Sequence, residues 1–125
     1  MDKAQFIDNF WSSFGLTAYD ENTVPTGKDA PQPPYITYSV STDSLGYPVQ
    51  LSGSLWYWSN SWEEISKKAD EIAEYLGVGG KVLPIDSGYV WIDKGHPFAQ
   101  RMLDNSNSTI KRIYINIQAE FLTAY

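Results

Sequence analysis

Cysteine and histidine are almost missing from this 125-residue sequence, which has no cysteine and one histidine. Without cysteine the chain forms no disulfide, has no thiolate nucleophile and binds no metal through sulfur. The histidine, His96, lies in a Gly-Pro context typical of a surface loop, at residues 94–97. Asp93 lies close to it in sequence, but no nucleophile-elbow, H-x-x-x-H or EF-hand pattern accompanies it. We therefore expect no catalytic residue, no metal and no cofactor.

Paired carboxylates and glycine-rich segments offer no better candidates for chemistry. The acidic pairs at 63–64 and 70–71 fall on the charged side of a predicted amphipathic helix, where exposure to solvent explains them. The glycine-rich segment 77–80 follows that helix, whereas a phosphate loop precedes one. We expect that the chain is not an enzyme.

Basic residues are also scarce, with nine Lys and Arg against fifteen Asp and Glu and a net charge of -6. The densest basic clusters are two residues long, at 67–68 and 111–112. Binding to a phosphate backbone needs larger basic clusters, so we expect neither specific nucleic-acid binding nor an anionic membrane surface as a partner. No apolar run approaches the roughly 20 residues of a membrane span, and the first residues do not resemble a signal peptide. A cytoplasmic site of synthesis is the expectation.

Aromatic residues, in contrast, are abundant, with five Trp and nine Tyr in a chain long enough for one domain, residues 1–125. Large aromatic side chains are favoured in cores and at the centres of protein interfaces. This composition suggests a small domain that binds protein surfaces.

Two helices are predicted. The first begins after Asp2 as N-cap, carries apolar residues at helical spacing over residues 6–14, and ends at Gly15. Its apolar face either packs on the chain's own sheet or partly meets another subunit. The second helix begins with a capping box between Ser61 and Glu64, has Glu–Lys pairs at 63/67 and 64/68, and stops at Gly77.

The strands show period-two alternation. They are expected at residues 35–40 with Ile36, Tyr38 and Val40 inward, at 49–59, in a hairpin at 82–85 and 89–92, and at 112–121. Short connections favour antiparallel pairing. The expected fold is therefore α+β, an antiparallel sheet of about four to five strands with two helices packed on one face.

Two loops stand out. Residues 20–34 contain five breakers of regular structure, and this loop either reaches over a neighbouring subunit or lies on its own sheet. We expect it to be mobile in the free subunit and ordered on assembly, because it cannot bury enough apolar surface alone. A second, polar loop is expected at 104–108.

The strand at 49–59 raises the main functional question. Its inward positions are odd-numbered, so Trp56 and Trp58 fall on the outer face, where two large aromatic rings need a cover. Trp56, Trp58 and Tyr114 of the last strand are the predicted subunit-contact residues. Alternatively, the first helix or the 20–34 loop covers the two Trp residues. A sugar-binding platform including Trp91 is less consistent, because sugar-binding modules of that kind are usually all-β.

Taken in order, these elements resemble the tail-completion and tail-terminator proteins of tailed phages and prophages. The stretches that carry the resemblance are residues 6–14, 33–38, 51–59, 62–76 and 112–121. Their order and spacing, rather than any single motif, make it specific, and they cover nearly the whole chain.

The resemblance implies a subunit of a ring, expected to be a hexamer, at the head-proximal end of the tail. Such a ring ends growth of the tail tube, joins tail to head, and contacts tail-tube and neck or connector proteins. The family has no catalytic residues to carry over, and the chain would be part of the virion, assembled in the host cytoplasm. The alternative is a small acidic binding or immunity-type protein that acts by stoichiometric protein binding.

Overall fold

The long last strand of the chain lies at the centre of the fold, paired with a long antiparallel strand on each side. A computed structural model of the chain describes residues 1–103 and 108–125. The helices are α1 (Lys3–Ser12) and α2 (Glu63–Leu76), and a 3-10 turn covers Gly27–Asp29. The strands are β1 (Ala18–Asp20), β2 (Tyr35–Tyr38), β3 (Val49–Trp58), β4 (Lys81–Ile85), β5 (Gly88–Met102) and β6 (Ile110–Thr123).

The six described strands form one sheet in the order β1-β2-β3-β6-β5-β4. The fold is α+β with two helices, as predicted, but the expected four to five antiparallel strands were wrong in detail. The additional strand, β1, pairs in parallel with β2, and the other neighbours are antiparallel. With three residues, β1 is too short for alternation to reveal it in the sequence.

Strand β5 continues ten residues past the predicted end of the hairpin at Ile92. The segment predicted as a loop around His96 is instead a bulge, where pairing with β6 shifts between Lys94 and Ala99. The bulge lies close against β6, since a Cβ at Gly95 would lie 2.8 Å from Asn116 Cβ. Glycine and proline indicate a bulge and a loop equally well, so the sequence did not separate them.

Helix α1 begins as predicted, at an Asp2 N-cap. Asp2 Oδ1 accepts from the Gln5 backbone N–H at 2.8 Å, and Gln5 Oε1 accepts from the Asp2 backbone N–H at 2.9 Å. The helix ends at Ser12, three residues before Gly15, whose φ of 81° turns the chain. Phe14 is still buried beyond the helix end, which is why the apolar pattern looked longer.

The capping box predicted for α2 is wrong. Trp62 is the N-cap residue, and the Ser61 hydroxyl accepts from the Glu63 backbone N–H at 3.1 Å in the turn before it. The predicted stop at Gly77 is confirmed, with a φ of 65°.

One of the two predicted ion pairs on α2 forms. Lys67 and Glu63 lie 3.4 Å apart. Lys68 instead donates to the Phe14 carbonyl at 2.7 Å and lies 3.2 Å from Glu71, so its pairing with Glu64 was wrong. The Phe14 bond holds α2 to the end of α1.

The core lies between the two helices and one face of the sheet. Trp11 of α1 is fully buried and packs so closely on β3 that a Cβ at Gly53 would lie 2.7 Å from its ring. The apolar face of α1 is therefore covered within its own chain. Val40, predicted inward, is 41% exposed because β2 ends at Tyr38. The buried apolar residues of the three central strands are Leu51, Leu55, Tyr57, Val90, Ile92, Ile113, Ile115, Ile117, Ala119 and Phe121.

Candidate functional site

The opposite face of the sheet has neither helix on it, and we call it the open face. It is formed by the residues that alternate with the core, such as the even-numbered positions of β3 and β6. The sequence predicted that Trp56 and Trp58 point away from Leu55 and Tyr57, and the burial pattern confirms this. The alternative that α1 covers these Trp residues is wrong, since α1 lies on the other face.

A ladder of stacked side chains crosses the open face over four strands. The rings of Tyr19 and Tyr35 meet edge-on at 6.0 Å, and the rings of Tyr35 and Trp56 stack with 6.2 Å between centroids. The guanidinium carbon of Arg112 lies 4.8 Å from the Trp56 ring centre. This arrangement follows from register, because Trp56 lies opposite Tyr35 on one side and Arg112 on the other.

Hydrogen bonds hold the two Trp rings in fixed orientations. Trp56 Nε1 donates to Thr37 Oγ1 at 2.9 Å, and Trp58 Nε1 donates to Thr109 Oγ1 at 3.0 Å. Trp56 is half-buried under its ladder neighbours, whereas Trp58 is 61% exposed. A surface aromatic ring that is already oriented loses little further entropy when a partner covers it.

The third predicted contact residue, Tyr114, also lies on the open face. It pairs with Ser54 of β3 and Gln100 of β5 and is half-buried. The structure thus places Trp56, Trp58 and Tyr114 on one surface.

Trp91 does not join this group. It lies on the same face but pairs with Glu120, eight residues along β6 from the partner of Trp56. Its Nε1 donates to the Gly79 carbonyl at 2.9 Å. Trp56, Trp58 and Trp91 therefore do not form one platform, and their positions do not support the sugar-binding interpretation.

Packing within the ladder also affects its tyrosines. Burial, with the neighbouring Tyr19 hydroxyl adding to it, raises the pKa of Tyr35 above its ordinary value. A tyrosine with the ordinary pKa of about 10 is already protonated at neutral pH, so this shift does not change the charge of Tyr35 there.

A shallow groove of about 280 Å³ lies beside the β5 bulge, lined by Gln50, His96 and Asn116. Asn116 is 7% exposed, donates to the Pro97 carbonyl at 2.8 Å and accepts from Gln50 at 2.5 Å. His96 is exposed on the bulge, as predicted for a surface residue. Across residues 1–103 and 108–125, no group of three or more acidic or histidine residues is placed to hold a metal ion.

The 20–34 loop is mostly exposed and begins within β1 at Asp20. Most of the predicted polar loop at 104–108 lies outside the described residues.

Sequence reasoning did not single out Tyr19, Tyr35 and Arg112 as members of the ladder. Alternation placed Arg112 on the outer face, but only the register between β2, β3 and β6 brings these side chains to Trp56. No signal in the sequence gives that register.

Comparison with models of known protein families found no match, and comparisons with curated proteins and with solved structures found none either. Within the described part of the chain, neither helix has the length and apolar character needed to cross a membrane.

Proposed function

We propose that this chain is a structural subunit that assembles with copies of itself through the open face, as a tail-completion protein of a tailed phage or prophage does. The observation that carries the proposal is a sheet face without a helix that presents an oriented aromatic ladder next to Trp58, 61% exposed.

The exposed ring provides a driving force for assembly. Burying the exposed part of a Trp side chain contributes about 2–4 kcal/mol at ~25 cal/mol per Å². Central aromatic residues with an oriented ring dominate many protein interfaces. Trp58 is therefore the proposed anchor, with Trp56 and Tyr114 around it.

The sheet edges are weaker candidates for the contact. Asp86 and Ser87 form the two-residue turn between edge strand β4 and β5. Because hydrogen-bonded and non-hydrogen-bonded pairs alternate along the two strands, the Pro84 nitrogen points away from β5. Proline has no N–H to donate at this exposed edge. At the other edge, β1 is three residues long, and the Asp20 carbonyl already accepts from the Thr23 N–H at 2.9 Å. Both edges are poor templates for strand addition, which favours contact through the open face.

The finer assignment rests on the resemblance of the sequence to tail-completion proteins. On that basis the assembly is a ring, a hexamer, at the head-proximal end of the tail, where it contacts tail-tube and neck proteins. The net charge of -6 suits a passage that must not retain DNA. The chain is proposed to have no catalytic function and to reside in the virion.

The experiment is a measurement of solution mass by light scattering over a range of concentrations. A ring of six copies has a mass of about 85 kDa, against 14.1 kDa for one chain. Trp58→Ser should abolish the larger species while leaving the monomer folded. Tyr125→Ser is the matched control, because Tyr125 is 86% exposed but lies beside Lys3 at the start of α1.

A chain that stays at 14.1 kDa at every concentration would contradict self-assembly and favour the stoichiometric-binding alternative. A folded Trp58→Ser variant with the mass of the wild type would contradict the assignment of this face.

A further inference from the structure

The open face carries opposite charges at its two ends. The aromatic–arginine end consists of Tyr35, Trp56, Trp58 and Arg112, and the acidic end of Tyr89, Trp91, Asp93, Glu120 and Leu122. Arg112 and Glu120 are separated by eight residues of the same strand, or roughly 27 Å at ~3.4 Å per residue.

At the aromatic–arginine end, the cation is fixed but not neutralised. Arg112 Nε donates to Ser54 Oγ at 3.0 Å, and the guanidinium lies over Trp56. Its terminal N–H groups form no ion pair with any described carboxylate. A planar guanidinium held in this way is suited to a carboxylate from outside the subunit.

At the acidic end, apolar and anionic groups lie side by side. Tyr89 is 55% exposed and pairs with Leu122, while Glu120 pairs with Trp91 and Asp93 with Gln118. Glu120 accepts from the Gly46 N–H at 3.2 Å, and Asp93 accepts from the Lys94 N–H at 2.8 Å. Neither carboxylate forms an ion pair with a described cation.

The strip between the two ends is neutral and polar. Across it, Ser52 pairs with Asn116 and Gln50 with Gln118. Among the described strand residues, charge on this face is therefore confined to its ends. An arginine with aromatic rings at one end complements carboxylates with two aromatic rings and a leucine at the other.

We propose that the aromatic–arginine end of one copy docks on the acidic end of a second copy, with Arg112 against Glu120 and Asp93, and Trp58 against Tyr89 and Leu122. This inference rests on the proposed function, because it names the contact through which the copies assemble. When each copy uses its two ends on different neighbours, the contact is head-to-tail, which gives a ring where the rotation between neighbours closes and a filament where it does not. When two copies exchange both contacts, the result is a dimer, and the solution mass distinguishes the two.

Charge reversal tests the pairing. Arg112→Glu and Glu120→Arg, each alone, should weaken self-association at least about tenfold, since each places like charges together. The double variant Arg112→Glu with Glu120→Arg should restore association, and so should an equimolar mixture of the two single variants. Lys67→Glu and Glu63→Arg on α2 change the net charge equally and should leave association unchanged.

Folding is checked by circular dichroism and melting of each variant. Should Arg112→Glu unfold, Asp93→Lys serves in its place. It changes the acidic end alone, and its effect must be relieved by raising the salt concentration. Wild-type chain that never associates would overturn the proposed function itself. A different result would overturn only this pairing. In that case Trp58→Ser abolishes association, but the charge-reversal variants leave it unchanged or the double variant does not restore it.

Discussion

The two faces of the sheet carry the same kind of side chain in opposite environments. On the covered face, Trp11 is fully buried among apolar side chains of its own chain, whereas Trp58 on the open face is 61% exposed. Both rings belong to the high aromatic content of the sequence, which has five Trp and nine Tyr. The comparison shows that part of this content is buried in the core of the domain and part is left exposed on the surface of the sheet.

Truncation of the two Trp residues should separate these roles most strongly. Trp11→Ala should lower the free energy of unfolding by about 3–5 kcal/mol, as buried aromatic truncations do. Trp58→Ser should lower it by less than about 1 kcal/mol, because the ring has little packing to lose. Chemical denaturation at concentrations where the chain is monomeric measures both, and equal losses would remove the distinction between the faces.

A smaller loss of stability is expected from substitution of Gly53, which has no side chain and so leaves room for the Trp11 ring. Gly53→Ala adds a Cβ 2.7 Å from Trp11 Cη2 and should cost about 1–3 kcal/mol of unfolding free energy. Ser52→Ala, the neighbouring position on the open face, is the control and should cost only the hydroxyl contact with Ser39, about 0.5–1 kcal/mol. In a Trp11→Leu background the cost of Gly53→Ala should shrink, and an undiminished cost would mean that the two residues do not compete for space.

The covered face should also determine how stability responds to alkali. Burial, with the hydrogen bond to Asp8 adding to it, raises the pKa of Tyr38, and burial near Glu64 and Glu71 raises that of Tyr57. The folded state holds these two protons more tightly than the unfolded chain does, and this difference contributes to the free energy of unfolding. The contribution is fully present below the ordinary tyrosine pKa of about 10 and is lost as the pH rises through the folded pKa.

Tyr38→Phe should therefore cost about 1 kcal/mol near neutral pH, by losing the 2.7 Å hydrogen bond to Asp8 Oδ1. It should also flatten the decline of stability above pH ~10. Denaturation series at pH 7 to 11 measure both effects, with Tyr47→Phe, at an exposed tyrosine, as the control. An unchanged alkaline slope would show that Tyr38 does not govern it.

The smallest effect is expected at His96, beside the open face. Because its side chain is exposed on the β5 bulge, His96→Ala should change the unfolding free energy by less than about 0.5 kcal/mol and leave self-assembly intact. Loss of biological activity in a variant that still folds and assembles would show that His96 has a functional role, contrary to the proposal.

Local patterns in the sequence predicted much of this structure. The Asp2 cap, the stop at Gly77 and the alternation of β3 and β6 involve residues within a few positions of each other, where backbone geometry and side-chain periodicity act directly. For the same reason the sequence placed Trp56 and Trp58 opposite the core.

Only the tertiary structure decided which side chains meet across strands. Strand β1 exists because β2 offers it an edge, and Lys68 bonds to the Phe14 carbonyl because α1 ends there. The register of β6 with β3 joins Arg112 to Trp56, and the register of β6 with β5 places Trp91 beside Glu120 at the far end of the open face. Such partners are distant along the chain, and their pairing depends on the packing of the whole domain, which no local pattern encodes.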